Sequence, residues 1–134
     1  MADCNFVAVL ELCYTRENPW EGVIVQPKKI AELLKSLVED KKAEDPVLLD
    51  ISKHSSLAHY FLICHGNSDR HVKSMAMHLM DEMKQRKMPA YHVEGLAEGK
   101  WVLLDFGPVI AHLFYHETRE FYGLERLWGE AKKL

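Results

Sequence analysis

Apolar residues recur with two distinct periods along this chain, and the change between them marks its elements. After Gln26, the residues Ile30, Leu33, Leu34, Leu37 and Val38 fall at i, i+3, i+4, i+7 and i+8. That spacing forms one stripe of an α-helix with Lys and Glu on its outer face, and Pro27 suits the first turn. The segment Lys41-Lys42-Ala43-Glu44-Asp45-Pro46 ends it. Val47–Ser52 and Tyr60–His65 are short runs of β-favouring residues and predict two strands. Gly66-Asn67-Ser68 breaks the second strand; Ser68 is a good N-cap, and Asp69 stands in the positive first turn of the next helix. Val72, Met75, Ala76, Leu79, Met80 and Met83 predict that second helix, stopped by Met88-Pro89. On this reading Met75, Met80 and Met83 face the sheet and fill irregular space. A third strand is expected near Ala90–Glu94, and a short helix over Glu117–Tyr122 that Gly123 can close. The predicted order is α-β-β-α-β-β-β-α.

Between the third strand and the last helix, two apolar runs, Lys100–Phe106 and Val109–Phe114, flank the turn composition Asp105-Phe106-Gly107-Pro108. They predict an antiparallel hairpin. A reversal at Phe106-Gly107 sets Asp105 opposite Pro108, Leu103 opposite Ile110 and Trp101 opposite His112. Trp101, Leu103, Ile110 and His112 then share one face, and Val102, Leu104, Val109, Ala111 and Leu113 the other. The second face is purely aliphatic and suits a core. The first mixes Trp, His and a nearby Asp, and suits a contact surface better. For His112 two readings stand: a satisfied sheet histidine or part of that surface.

Composition narrows the class. A chain of 134 residues with 48% hydrophobic and 28% charged residues is long enough for one core and too short for two ordinary domains. The fold class expected is α/β, a single domain with a mixed β-sheet and flanking helices. A net charge of −3 argues against nucleic acid as the main partner and fits a basic protein better. Cys4, Cys13 and Cys64 are odd in number and lack CxxC spacing, which reads as reduced thiols in a reducing cytoplasm. No run approaches the roughly 18 apolar residues of a membrane span. Residues 1–25 read as an extension apart, of no assigned role, with Asn18-Pro19-Trp20-Glu21-Gly22 as its turn or linker.

Candidate chemistry is tested by spacing. His112 and His116 on a strand lie roughly 13 Å apart at about 3.3 Å per residue, too far to share one ion. His71 and His78 are two helical turns apart, so no metal site is expected. Cys64 and His65 are adjacent on a strand and point to opposite faces, which excludes a nucleophilic pair. The strand–Gly66-Asn67-Ser68–helix turn raises a phosphate site, because helix N-termini present free N–H groups. It also looks like the Gly-Ser entry of nucleotidyltransferases, which need paired carboxylates for divalent metals. No Asp-x-Asp follows, and Asp50 and Asp105 each end a strand without a carboxylate two positions away. Tight-turn capping is the better reading, and neither cofactor nor catalytic residue is expected.

One family matches these residues. Asp50-Ile51-Ser52, Tyr60-Phe61-Leu62-Ile63-Cys64, Gly66-Asn67-Ser68-Asp69-Arg70-His71-Val72, Val93-Glu94-Gly95, Trp101-Val102-Leu103-Leu104-Asp105, Val109-Ile110-Ala111-His112-Leu113-Phe114 and Arg119–Trp128 resemble the Iojap family, the ribosomal silencing factors. The match runs in order from about Pro27 to the end, so residues 26–134 are read as the silencing-factor domain. The resemblance implies a nucleotidyltransferase-like α/β fold without the catalytic carboxylates. It also implies binding to large-subunit ribosomal protein fourteen, occlusion of subunit joining, repression of translation in the cytoplasm, and a homodimer when free. Pro108 departs from the family pattern, which usually carries Asp after the hairpin glycine. Pro removes an N–H donor and a charge there.

An occluding factor of this kind needs a buried anchor inside a polar rim. Trp101 is the natural anchor, with Leu103 and His112 as hairpin neighbours, while a core tryptophan is the competing reading. Asp105, Glu120 and Glu125 are the acidic groups expected to meet basic ribosomal-protein side chains. Trp128 reads rather as a staple of the chain end onto the core. The alternatives are a nucleotide-binding or nucleotidyltransferase-like enzyme, separable by labelled-nucleotide binding, and a plain dimeric scaffold that does not co-sediment with large subunits.

Overall fold

The computed structural model describes residues 26–53, 58–127 and 132–133. The readings of Met1–Val25 and of Trp128 therefore lie outside the described residues. Four helices and six strands follow one another as α1 (Pro27–Asp40), β1 (Glu44–Asp50), β2 (Tyr60–Gly66), α2 (Asp69–Gln85), β3 (His92–Glu94), β4 (Trp101–Asp105), β5 (Val109–Tyr115), α3 (His116–Tyr122), α4 (Leu124–Leu127) and β6 (Lys132–Lys133). Every element expected after Gln26 is present, and α4 and β6 are additional.

The two long helices end alike. Lys42 and Lys87 adopt left-handed conformations, with φ of 61° and 64°. Ala43 N–H then donates to Val38 C=O at 3.0 Å, and Met88 N–H to Met83 C=O at 2.8 Å. Each bond satisfies a terminal carbonyl, and it folds an apolar side chain back onto the last turn, the C-terminal closure usually built with glycine. At the start of α2, the Ser68 hydroxyl accepts from His71 N–H at 3.0 Å, as its N-cap reading requires.

The sheet order is β3-β4-β5-β2-β1-β6. β2 and β5 run parallel at its centre, and the other neighbours pair antiparallel. A parallel pair needs a long crossover, here supplied by α2 and the strands after it. The α1 stripe (Ile30, Ala31, Leu34, Leu37, Val38) and the α2 stripe (Val72, Met75, Ala76, Leu79, Met83) are buried together with Leu62, Cys64, Val102, Leu104 and Leu113. Met75 and Met83 are fully buried as expected, whereas Met80 packs only at the edge of that core. The opposite face of the sheet carries a second apolar cluster of Leu49, Ile51, Ala58, Phe61, Ile63, Ile110 and Phe114, against which Trp101, Leu103 and Leu124 pack. No helix among the described residues is long and apolar enough to cross a membrane.

Candidate functional site

The β4–β5 hairpin keeps the expected faces and changes the expected register. Trp101 pairs with Phe114, Leu103 with His112 and Asp105 with Ile110, so each residue meets a partner two positions beyond the anticipated one. A shift of two preserves parity, because strand side chains alternate with a period of two. The cause lies in the turn. The reversal centres on Gly107-Pro108, where Gly107 takes φ of 87°, a region open to glycine. Asp105 Oδ1 accepts from Gly107 N–H at 2.8 Å, and Phe106 N–H donates to Val109 C=O at 2.9 Å. Pro108 has no N–H to give, but its carbonyl accepts from His59 and Tyr60 N–H at 2.8 and 3.1 Å and joins the turn to the start of β2.

The face expected as a contact surface is graded rather than uniformly open. Trp101 and Leu103 are half-buried, whereas Asp105, Ile110 and His112 are buried. Trp101 Nε1–H donates to His112 Nδ1 at 3.2 Å. The indole stacks on Phe114, with ring centroids 5.2 Å apart, and meets Tyr122 at 4.6 Å. The His112 ring lies edge-on to Phe61 at 4.6 Å, and its Nε2 is buried without a hydrogen-bond partner. Burial pushes the His112 imidazole down to about 4, so it is neutral and carries its proton on Nε2. Burial pushes the Asp105 carboxyl up to about 6, against the lowering effects of the Gly107 N–H and nearby His92. Neither His112 nor Asp105 is therefore an open contact residue; each shapes the residues around it.

The two terminal glutamates part company. Glu120 is exposed on α3. Glu125 instead holds the Arg119 guanidinium in a two-bond fork, Nε to Oε1 and Nη2 to Oε2, both at 3.0 Å. That fork is the chief cause holding the Glu125 carboxyl below its ordinary value. Arg119, only 8% exposed, also donates to the Asp45 carbonyl at 2.8 Å and approaches His65 Nδ1 at 2.8 Å. It thereby fastens α3 to the bulged start of β1, where the register shifts between Glu44 and Val47. Glu125 is thus a structural partner within the fold rather than the open carboxylate expected. Sequence reading misses Arg119, and no local pattern marks a bond between residues so far apart.

Sequence reading also misses the residues beside Trp101. Phe121 and Tyr122 stand exposed at 79% and 50%. Their rings meet edge-on at 5.2 Å, so an aromatic ladder runs from Phe121 through Tyr122 and Trp101 to the buried Phe114. The run Arg119-Glu120-Phe121-Tyr122 is legible as helix, but seven residues are too few for periodicity to say which face is open.

The turn before α2 is arranged for capping. Asn67 N–H donates to His71 Nδ1 at 3.2 Å, Arg70 N–H to Asp69 Oδ1 at 2.9 Å, and His71 N–H to Ser68 Oγ. Three of the N–H groups that a phosphate would need there, those of Asn67, Arg70 and His71, are thus engaged by the chain's own side chains. Asp50 Oδ1 accepts from the Ser52 N–H and hydroxyl at 3.0 and 2.7 Å, so both strand-end aspartates serve their own turns. Cys64 is buried in the helix-side core with its thiol pushed up to about 12 by burial, an inert environment. Among the described residues no three His, Cys, Asp or Glu side chains gather in a metal-binding group.

Known proteins share this architecture. A family model described as "Ribosomal silencing factor during starvation" matches residues 25–134. A protein named "Ribosomal silencing factor RsfS" from Bacillus subtilis (strain 168) is 41% identical over 104 residues, spanning 78% of this chain and 88% of that protein. The X-ray structure of a Chromobacterium violaceum protein superposes with a TM-score of 0.76 at 33% identity, covering 78% of this chain and 88% of the other. A crystal structure from Bacillus halodurans gives 0.72 at 34% identity, covering 80% and 97%.

Proposed function

This chain belongs to the ribosomal silencing factor family, and from that premise we propose that it binds ribosomal protein fourteen of the large subunit and blocks joining of the small subunit. The action is steric. A domain seated on the joining surface excludes the second subunit without chemistry, and translation falls in proportion to the large subunits occupied. The observation that carries this reading is the half-buried Trp101, held by a hydrogen bond beneath and an aromatic ring beside it. A large side chain ordered before binding loses little freedom on docking, which is what a hot-spot residue requires.

In this reading Trp101 and Leu103 touch the partner, and Glu120 supplies rim charge. His112 and Asp105 act through their neighbours, one by orienting the indole and the other by fixing the hairpin turn. Glu125 acts through Arg119 by setting the position of α3. The family resemblance supports a homodimer for the free protein, acting in the cytoplasm; if the dimer uses the same sheet face, pairing and ribosome binding compete.

The test is sedimentation with purified ribosomal subunits. The protein should travel with large subunits and be absent from joined ribosomes, and adding it before the small subunit should lower the joined fraction. Equal occupancy of joined ribosomes would overturn the occlusion mechanism. Nucleotide binding by the Gly66-Asn67-Ser68 turn is the disfavoured alternative, because the Asn67 N–H and the His71 N–H of the helix start are already engaged by side chains.

A further inference from the structure

We infer that the open cleft between β4 and α3 receives a basic segment of the ribosomal partner, an apolar side chain resting on Phe121 and Tyr122 with Lys or Arg on either side. This inference rests on the reading that the Trp101 surface meets the large subunit, and it specifies the chemistry of the segment met there.

The cleft measures about 640 Å³, with Trp101, Phe121 and Tyr122 as its aromatic walls and Glu98, Lys100 and Glu117 at its rim. Exposed apolar residues scattered singly are ordinary on protein surfaces, but a contiguous patch with a polar border marks an interaction site. Phe121 and Tyr122 are contiguous with each other and, through Trp101, with Phe114 in the core. Phe121 is 79% exposed, so burial of its ring contributes little to folding. Its ring gains most from burial when something covers it.

Charge selects the occupant. Lys100 Nζ lies 4.7 Å over the Tyr115 ring, which engages the lysine of the rim. Glu98 and Glu117 have no ion-pair partner among the described residues, and exposed Glu120 adds a third carboxylate on the same short helix as Glu117. A phosphate backbone is repelled by this border, whereas Lys or Arg on a protein segment is attracted. The cleft is larger than one side chain, and the aliphatic stems of flanking Lys or Arg can lie along its aromatic walls while their charged ends reach the carboxylates. The cleft is continuous with the Trp101 surface, so one segment can engage both.

The test compares binding of the full chain and its variants to purified large subunits at low and moderate salt. Phe121→Ala should melt like the parent and weaken binding by roughly tenfold or more, the effect of an interface anchor. The double variant Glu98→Lys/Glu117→Lys should weaken binding and flatten its salt dependence, and it checks the charge argument independently of the aromatic one. If Trp101→Ala loses binding while Phe121→Ala and the double lysine variant bind within about twofold of the parent, this inference is wrong and the wider reading stands. If the parent itself does not bind large subunits, both readings fall. A Phe121→Ala variant that changes only self-association would overturn this inference and assign the cleft to a second copy of the chain.

Discussion

The Trp101 indole N–H donates to Nδ1 of His112 at 3.2 Å, and this bond decides where the imidazole keeps its remaining proton. Nδ1 is the acceptor, so Nε2 carries the hydrogen, and there it is buried without a partner. Protonation of Nδ1 would destroy the bond and place a charge among Phe61, Phe114 and Trp101. A half-buried indole and a buried imidazole therefore hold each other in a single arrangement.

Trp101→Ala should weaken large-subunit binding by about 2 kcal/mol or more, as expected for an interface hot spot. Val102→Ala, one residue away on the fully buried aliphatic face, should cost about 2 kcal/mol of stability through lost packing and leave binding by the folded fraction nearly unchanged. Thermal melts and a pull-down with ribosomal protein fourteen separate the two. Inverted results would place the partner on the other face of the hairpin.

The pH dependence of stability should show two opposed contributions. His112 is held near 4, below its ordinary 6.5, so the unfolded chain binds more protons between these values. Its contribution is full above 6.5 and is lost as pH falls toward 4. Asp105 is raised from 3.8 to about 6, so there the folded chain binds more protons, and that contribution is present at low pH and lost as pH rises through 6. Relative to the parent, His112→Asn should lose less stability on acidification from pH 6.5 to 4, and Asp105→Asn should lose more. Asn at position 112 can still accept from Trp101, so the comparison isolates titration. Melting curves across this range provide the check, and a His112→Asn profile parallel to the parent's would count against a buried neutral imidazole.

Arg119 should be the most sensitive polar position. Removing one member of a buried pair leaves the other groups unpaired, so Arg119→Met should cost about 3 kcal/mol or more. Glu125→Gln keeps one acceptor oxygen and should cost about 1 kcal/mol. Hydrogen exchange at the amides of α3 reads the effect directly. Faster exchange there, with the α1 and α2 amides still protected, would show the helix coming free of β1.

Legibility from sequence alone depends on the range of each signal. Both long helices are readable because five or six apolar residues repeat within each, and because Ser68 announces the start of the second. The faces of the hairpin are readable from alternation alone. Its register is not, since Asp105-Phe106-Gly107-Pro108 allows two reversals and only the Gly107 conformation selects one. The Arg119 bond to the Asp45 carbonyl joins segments 74 residues apart, and no spacing rule reaches that far. β6 escapes because two lysines pairing with Leu49 and Asp50 carry no apolar alternation. At the site, Trp101 and Leu103 are identifiable, but the exposure of Phe121 depends on how a short helix is rotated, which Arg119 fixes.

No metal-dependent nucleotidyl transfer is expected. The two candidate aspartates are occupied, Asp50 with Ser52 and Asp105 with Gly107. Purified protein incubated with magnesium and nucleoside triphosphates should show no turnover. Turnover that disappears in Asp50→Asn or Asp105→Asn would reverse this conclusion.

The central parallel pair also sets a timetable for the chain's own synthesis. β5 lies between β4 and β2, and Tyr60 aligns with Val109 while Gly66 aligns with Tyr115. As the nascent chain lengthens, β1, β2 and α2 emerge early with the inner edge of β2 bare, and β3 and β4 follow, packing on α2 but with no strand pairing to β2. An open edge of this kind invites pairing with other chains, and late long-range pairing slows folding. Only when β5 has emerged can one strand close both edges at once. The segment that joins the two halves of the sheet also carries His112, so Trp101 acquires its hydrogen-bond partner at the step that completes the sheet.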